Sequence, residues 1–510
     1  MTAFLRRPAV SATALLVALA AGPALAEVTA QQVWDDWKAQ MAIYGQDGVT
    51  VGSETYENGV LTVTDLGFNV AGEDGSTATG TLPELVLTEN GDGTVSVTMS
   101  EEYPITITTP ANAETGSEAS EVMLALRQTG LELTVSGEPG ALTYDMAAAR
   151  YAVELDSLTE AGAEVPAEML VAFNDVSGTY TSTEGAEMRD IVYDLAAASM
   201  DLMIQGSNPE DGSSGMLSGK VDGVATQATM SLPVDPAADP EMMLMNGLAI
   251  DGGYTTTSGS YIFEFSDPEA GPTSGTLTTG GGSFDVAMSK DSFRYASSTT
   301  GLDLEVTTAA MPMPVTVSIA EAGANFEMPL SKIDAPAPWA LGLTLNDLAL
   351  DEQIWAMFDP QAMLPRDPAT VRLDMTGTAT MLFDVTDPAQ AEAMEAAEMP
   401  AQIESANLNE LEVTFGGASV TGTGAFTFDN ADTTTIPGMP KPTGALDLQL
   451  SGVNGLIDAL TAMGLVPEDQ VMGARMMLGM FTTATGDDQL TSRIEFTQDG
   501  QILANGQRLQ

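Results

Sequence analysis

Carboxylates are the one abundant reactive group: 72 Asp and Glu stand against 16 Lys and Arg and no His. Two acids flanking a glycosidic bond can cleave it by acid and base action or through a covalent intermediate. With this many acids, spacing singles out no pair, and aromatic residues, which sugar sites use as platforms, make up only 6% of the chain. A carboxylate hydrolase is the least favoured functional reading. Calcium is the other carboxylate chemistry. Residues 88–99 place Asn90, Asp92 and Gly93 at ligand and turn positions, but Thr88 and Met99 stand where the loop needs acids. That stretch reads as a hairpin turn. Asp429, Asn430 and Asp432 read as a solvated loop.

Absences narrow the field further. Without His and Cys there is no Ser-His-Asp or Cys-His nucleophile, no His-ligated metal and no thiolate zinc or iron–sulfur site. No Ser lies three residues before any of the five Lys. No G-x-S-x-G elbow, P-loop or G-x-G-x-x-G turn follows a strand. The sequence therefore predicts no catalytic, cofactor-binding or metal-binding residues, and a protein that is not an enzyme. Arg366, within Leu364-Pro365-Arg366-Asp367-Pro368, reads as half of an ion pair pinning a Pro-rich turn rather than as an anion contact.

The first residues read as an address. Arg6 and Arg7 precede an apolar run, 9–21, and a small-residue cleavage site at Ala24-Leu25-Ala26, so cleavage after Ala26 and export to the periplasm are expected. The run is shorter than the roughly 20 residues that span a bilayer. The whole chain carries −56; losing a leader with two Arg and no acid makes the remainder −58. Nucleic acid is excluded as a partner, because binding it depends on Lys and Arg neutralising phosphates. An apolar fraction of 44% argues for a packed chain despite the charge. Absent cysteine leaves burial and backbone pairing to hold the fold, and the 30 Met serve as adaptable fillers.

The positioning elements follow from periodicity. Val33, Trp34, Trp37, Met41 and Tyr44 recur at helical spacing, predicting a helix over 30–44 with one apolar face. Beyond it the period is two. Segments such as 60–66, 82–87, 95–99, 151–158, 176–181, 225–232, 261–265 and 315–319 read as strands with one face dry and one wet, hence antiparallel sheet. Gly178-Thr179-Tyr180-Thr181-Ser182-Thr183 and Gly253-Tyr254-Thr255-Thr256-Thr257 look alike. Short helices are expected at 351–358 and 389–399, and soft boundaries near 235–240 and 335–340. After a strand at 445–450, two apolar helical segments, 453–464 and 467–481, precede the strand 490–497 and a last hairpin. The fold class is mainly β: extended, twisted antiparallel sheet with a short N-terminal helix and a C-terminal helical pair. Its divisions are a signal peptide, 1–26, a β-rich region, 27–238, and a second, 239–510, with a helical cap at 453–481.

Several motifs carry a family resemblance. They are Val33-Trp34-Asp35-Asp36-Trp37, Leu350-Asp351-Glu352-Gln353-Ile354-Trp355 with Phe358-Asp359-Pro360, the Leu364–Pro368 motif, Gly452-Val453-Asn454-Gly455-Leu456-Ile457-Asp458, and Ala474-Arg475-Met476-Met477-Leu478. The chain resembles the exported alphaproteobacterial proteins of the uncharacterised DUF2125 family over nearly all of its mature length. The family implies no activity, cofactor or catalytic residues. A strand, two helices and a terminal hairpin is similar also to the ends of AsmA-like envelope proteins. The expectation is a non-enzymatic periplasmic protein of envelope maintenance whose partner is a lipid or other apolar ligand held against a sheet face. The alternative is a structural module that binds an envelope protein.

Overall fold

The computed structural model describes residues 27–41, 48–72, 74–112, 117–209, 211–234, 242–333, 335–397 and 399–509. The expected leader, Tyr44 and the 235–240 boundary lie outside them. The chain is 64% strand and 11% helix, so sheet pairing, as the alternation predicted, is what organises it.

The helix α1 (Ala30–Met41) opens the fold. Thr29 and Gln32 form a reciprocal cap: the Gln32 backbone N–H donates to the Thr29 hydroxyl at 3.3 Å, and the Thr29 N–H to the Gln32 side-chain oxygen at 2.9 Å. Val33 and Trp34 are buried, with Trp37 and Met41 packed on the same cluster, so the apolar stripe does dock.

The short β1 (Val49–Thr50) and β2 (Ser53–Glu57) pair with β3 (Val60–Ala71), and β3 with β4 (Thr77–Glu89). Then the sheet splits. β4 is flanked by two shorter strands end to end, β5 (Val95–Met99) and β6 (Glu102–Thr109). β6 pairs with β7 (Ser120–Thr129) and β5 with β8 (Glu132–Glu138), and both of these pair with the long β9 (Ala141–Glu160). After β10 (Ala163–Glu164) come the long β11 (Ala167–Glu184), β12 (Met188–Ser207) and β13 (Ser214–Pro233).

The split recurs with the same wiring. β13 pairs with β14 (Ala249–Thr256) and β15 (Ser258–Asp267); β15 pairs with β16 (Gly271–Thr279) and β14 with β17 (Gly282–Met288); both meet the long β18 (Ser292–Thr308). The two look-alike Gly-Tyr-Thr segments sit on β11 and β14, which are not equivalent places, so the repeated unit is one of topology and not of those residues.

A meander follows: β19 (Val315–Pro329), β20 (Ala337–Leu350), β21 (Ala369–Met381), β22 (Ala401–Phe415), β23 (Ala418–Asp429) and β24 (Lys441–Ser451). Its connections hold α2 (Glu352–Phe358) and, after a 3-10 turn, α3 (Ala391–Glu395). Then come α4 (Val453–Ala462) and α5 (Glu468–Phe481). The strands β25 (Thr483–Gly486), β26 (Gln489–Phe496), β27 (Ile502–Ala504) and β28 (Gln507–Arg508) close the edge, β26 pairing back to β24. Among the described residues every pairing is antiparallel, and the 28 strands join one sheet. Pairing is continuous from β13 to β14 and β15, and from β19 to β20, past both expected boundaries. At about 4.8 Å per strand, roughly 20 strand positions span on the order of 95 Å.

A crease crosses the strands near their middles. Asp65, Gly130, Asp175, Gly223, Gly301 and Asp347 have φ between 50° and 65°, a conformation that Asp tolerates better than most residues and Gly freely. At Asp65, Asp175, Gly223 and Gly301 the ladder drops one pair and resumes in register. Apolar residues change parity there: Val171 and Phe173 below the crease on β11, Val176, Gly178 and Tyr180 above it.

Candidate apolar groove

One line of cross-strand partners runs the length of the sheet above the crease. It passes from Tyr144 through Tyr180, Tyr193, Ala228, Gly252, Val286 and Tyr295 to Phe326. It continues through Leu341, Met375, Leu408, Gly424 and Leu446 to Ile494. No member is charged. One residue along the same strands the side chains point to the other face, and there the line reads Asp145, Thr179, Asp194, Gln227, Gly253, Asp285, Ala296, Asn325, Gly342 and Asp374. The excess acid is thus segregated from the apolar line.

A second uncharged line lies below the crease: Val153, Val171, Leu202, Gly219, Tyr261, Leu277, Leu304, Val317 and Leu350. A cavity of about 520 Å³ is lined by Phe173, Met200, Val221 and Tyr261 from below and by Val224 and Tyr254 from above. The parity change at the crease therefore brings both apolar bands onto one side. Glycines let rings lie flat on this floor. A Cβ at Gly377 would meet the Trp339 ring, and one at Gly219 the Tyr261 ring.

Cover is uneven. Under α1 the face is sealed: Val63, Leu85, Leu87, Val95 and Val135 have no exposed surface. Away from α1 it is open, with Tyr254 48%, Phe326 39%, Leu341 42% and Leu343 47% exposed. Tyr254, Phe284 and Tyr295 form an aromatic run there, with successive centroids 5.5 Å apart.

Three of the side chains weighed for chemistry, Asp92, Asp432 and Arg366, make local contacts, Arg366 with Asp359. Asp359 is completely buried; its carboxylate accepts the Met363 and Leu364 backbone N–H groups at 2.9 Å each and the Arg366 guanidinium at 2.7 Å. Burial works against its ionisation, but those donors prevail and hold its pKa below the usual carboxylate value. Arg366 lies 4.5 Å over the Trp355 ring, and Trp355 stacks at 6.0 Å on Phe415. The ion-pair reading of Arg366 holds. Asp92 accepts from the Thr94 N–H and hydroxyl in the β4–β5 turn. Asp432 accepts from Thr434 and Thr435, the Thr435 hydroxyl and N–H foremost, which holds its pKa down at about 2. No group of three or more metal-ligating side chains occurs among the described residues.

The helical pair departs from a buried cap. Leu456 of α4 packs over Gly416 beside Leu364, yet neither helix has a buried residue. Met472, Met476 and Met480, one stripe of α5, are 51–74% exposed. The apolar positions were visible in the sequence; their outward direction was not. Asp488 holds the start of α4, accepting from the Asn454 N–H at 3.1 Å and the Gly455 N–H at 3.0 Å. Asp488→Ala is expected to cost about 1 kcal/mol, read as a lower urea midpoint with an unchanged slope.

Sheet and face together define an extended antiparallel-sheet protein with an uncovered apolar side. Residues 294–509 match the DUF2125 family, described as an uncharacterized protein conserved in bacteria, so the resemblance is shown over that span. The motifs from Leu350 onward fall within it and Val33–Trp37 does not. No curated protein and no solved structure matches the chain.

Proposed function

We infer that the protein is an exported, periplasmic, non-enzymatic component of envelope maintenance that holds lipid or another apolar ligand along its open sheet face. The observation carrying this reading is the charge-free line from Tyr193 to Leu446, left exposed over its middle while the acids occupy the opposite face. Water leaves such a surface with a gain of roughly 25 cal/mol per Å² covered, and an exposed apolar area this continuous marks a binding surface. No helix among the described residues is long and apolar enough to cross a membrane. In the test, delipidated protein is incubated with envelope lipids and examined by native mass spectrometry. Retained lipid is expected; bare protein across all lipid classes overturns the reading.

The methionine stripe of α5 favours a second reading, a docking surface for an envelope protein, since flexible thioethers suit adaptable protein contacts. A photo-crosslinker at Met476 should then capture one periplasmic protein reproducibly. Recovery of none removes it.

A further inference from the structure

The geometry points to the pocket between α1 and the sheet as the seat for the methyl end of a lipid's acyl chain, which fixes one terminus of the apolar track. This rests on the lipid-holding reading and adds where, and by which end, the ligand is held. The cavity measures about 340 Å³ and is lined by Trp37, Gln40, Tyr144, Met146, Tyr180 and Leu195, with Tyr193 at its floor. On one side α1 seals the face with Val33 and Trp34, so a chain can go no further. On the other side the next partners of Tyr193 are Ala228 and Gly252, whose small side chains leave a low floor leading into the pocket.

The chemistry selects an uncharged occupant. Five of the lining residues carry polar atoms, and those of Trp37, Gln40, Tyr144 and Tyr180 are paired with one another or with Asp36. Trp37 Nε1 donates to the Tyr144 hydroxyl at 3.0 Å, the Tyr180 hydroxyl to Gln40 Oε1 at 3.4 Å, and Gln40 Nε2 to Asp36 at 2.7 Å. Asp36 is neutralised by Arg189 at 3.1 Å, each side chain only 12% exposed. Burial also pushes the Tyr144 phenol up, keeping it neutral. A charged group entering here would lose its hydration with little beyond the Tyr193 hydroxyl to replace it. The volume lies at the lower end of small-molecule sites, roughly 300–1,000 Å³, so it takes a chain end while the headgroup stays out toward solvent.

Trp37 and Trp339 make the idea testable, because one lines the pocket and the other lies far along the same face. A Trp34→Phe, Trp339→Phe, Trp355→Phe chain reports from Trp37; a Trp34→Phe, Trp37→Phe, Trp355→Phe chain reports from Trp339. Each is titrated with a long-chain monoacylglycerol brominated either at the methyl end or beside the ester. Saturable quenching of Trp37, stronger for the methyl-end isomer, is expected. Tyr193→Asp should abolish that quenching while Trp339 is still quenched, which also shows that the variant is folded. Quenching of Trp339 without Trp37, or equal quenching of Trp37 by both isomers, overturns the seat and leaves the lipid-holding reading standing. Quenching of neither reporter overturns both.

Discussion

Leu343→Asp is expected to weaken lipid binding about tenfold or more, because the ligand must then cover a carboxylate that has no partner. Leu343 is 47% exposed and its strand is held by backbone pairing to β19 and β21. Stability should therefore stay within about 0.5 kcal/mol of the parent, as for most surface changes. Val192→Asp is the matched control. Val192 is equally exposed but lies on the acidic face beside Asp194, so binding should not change. Isothermal titration with a soluble monoacylglycerol measures both. Equal loss in the two variants would mean that added charge acts at long range and that the ligand does not lie on the floor.

The second large effect is on stability. Asp359→Asn keeps the shape but removes the charge that two backbone N–H groups and Arg366 converge upon. Breaking one partner of a buried pair leaves the other uncompensated. A fall in melting temperature on the order of 5 °C is expected at neutral pH. The pH dependence has a definite sign. The folded pKa of Asp359 is depressed, so its contribution is complete above the unfolded value of about 3.9 and is lost as pH falls through the folded value. The gap between parent and variant should be constant near neutrality and close below about pH 4. A gap that persists unchanged in acid would assign the effect to lost packing, not charge.

Alternation made the antiparallel sheet, the one-sided burial and the N-terminal helix legible, and charge balance made the Arg366 ion pair legible. What escaped has a local cause. The segments 151–158, 176–181 and 225–232 each capture only one half of strands that are 18 to 20 residues long. Period two is interrupted where Asp175 and Gly223 take a left-handed conformation, so apolar residues shift from odd to even positions and a fixed-parity reading stops. Ala228, Gly252 and Gly424 are small and look like weak strand residues, although they are floor positions in the groove. Strand order was hidden for a different reason: hairpin turns announce neighbours in sequence, whereas the β5–β8 and β14–β17 pairings skip over an intervening hairpin.

The split units have a consequence for how such a protein acquires its dimensions. In each, the chain leaves a long strand, lays down four short ones, and re-enters a long strand from the same margin of the sheet, antiparallel to the one it left. The unit between β13 and β18 can therefore be spliced in or out without reversing any later strand or moving the terminal helices off their ends, whereas the one between β4 and β9 also carries Val95 and Val135 of the seat under α1. Each copy lengthens the track by two strand spacings, about 10 Å. The reach of the molecule is thus set by a countable insert, like leaves in an extending table, and can change in evolution while its two ends stay the same.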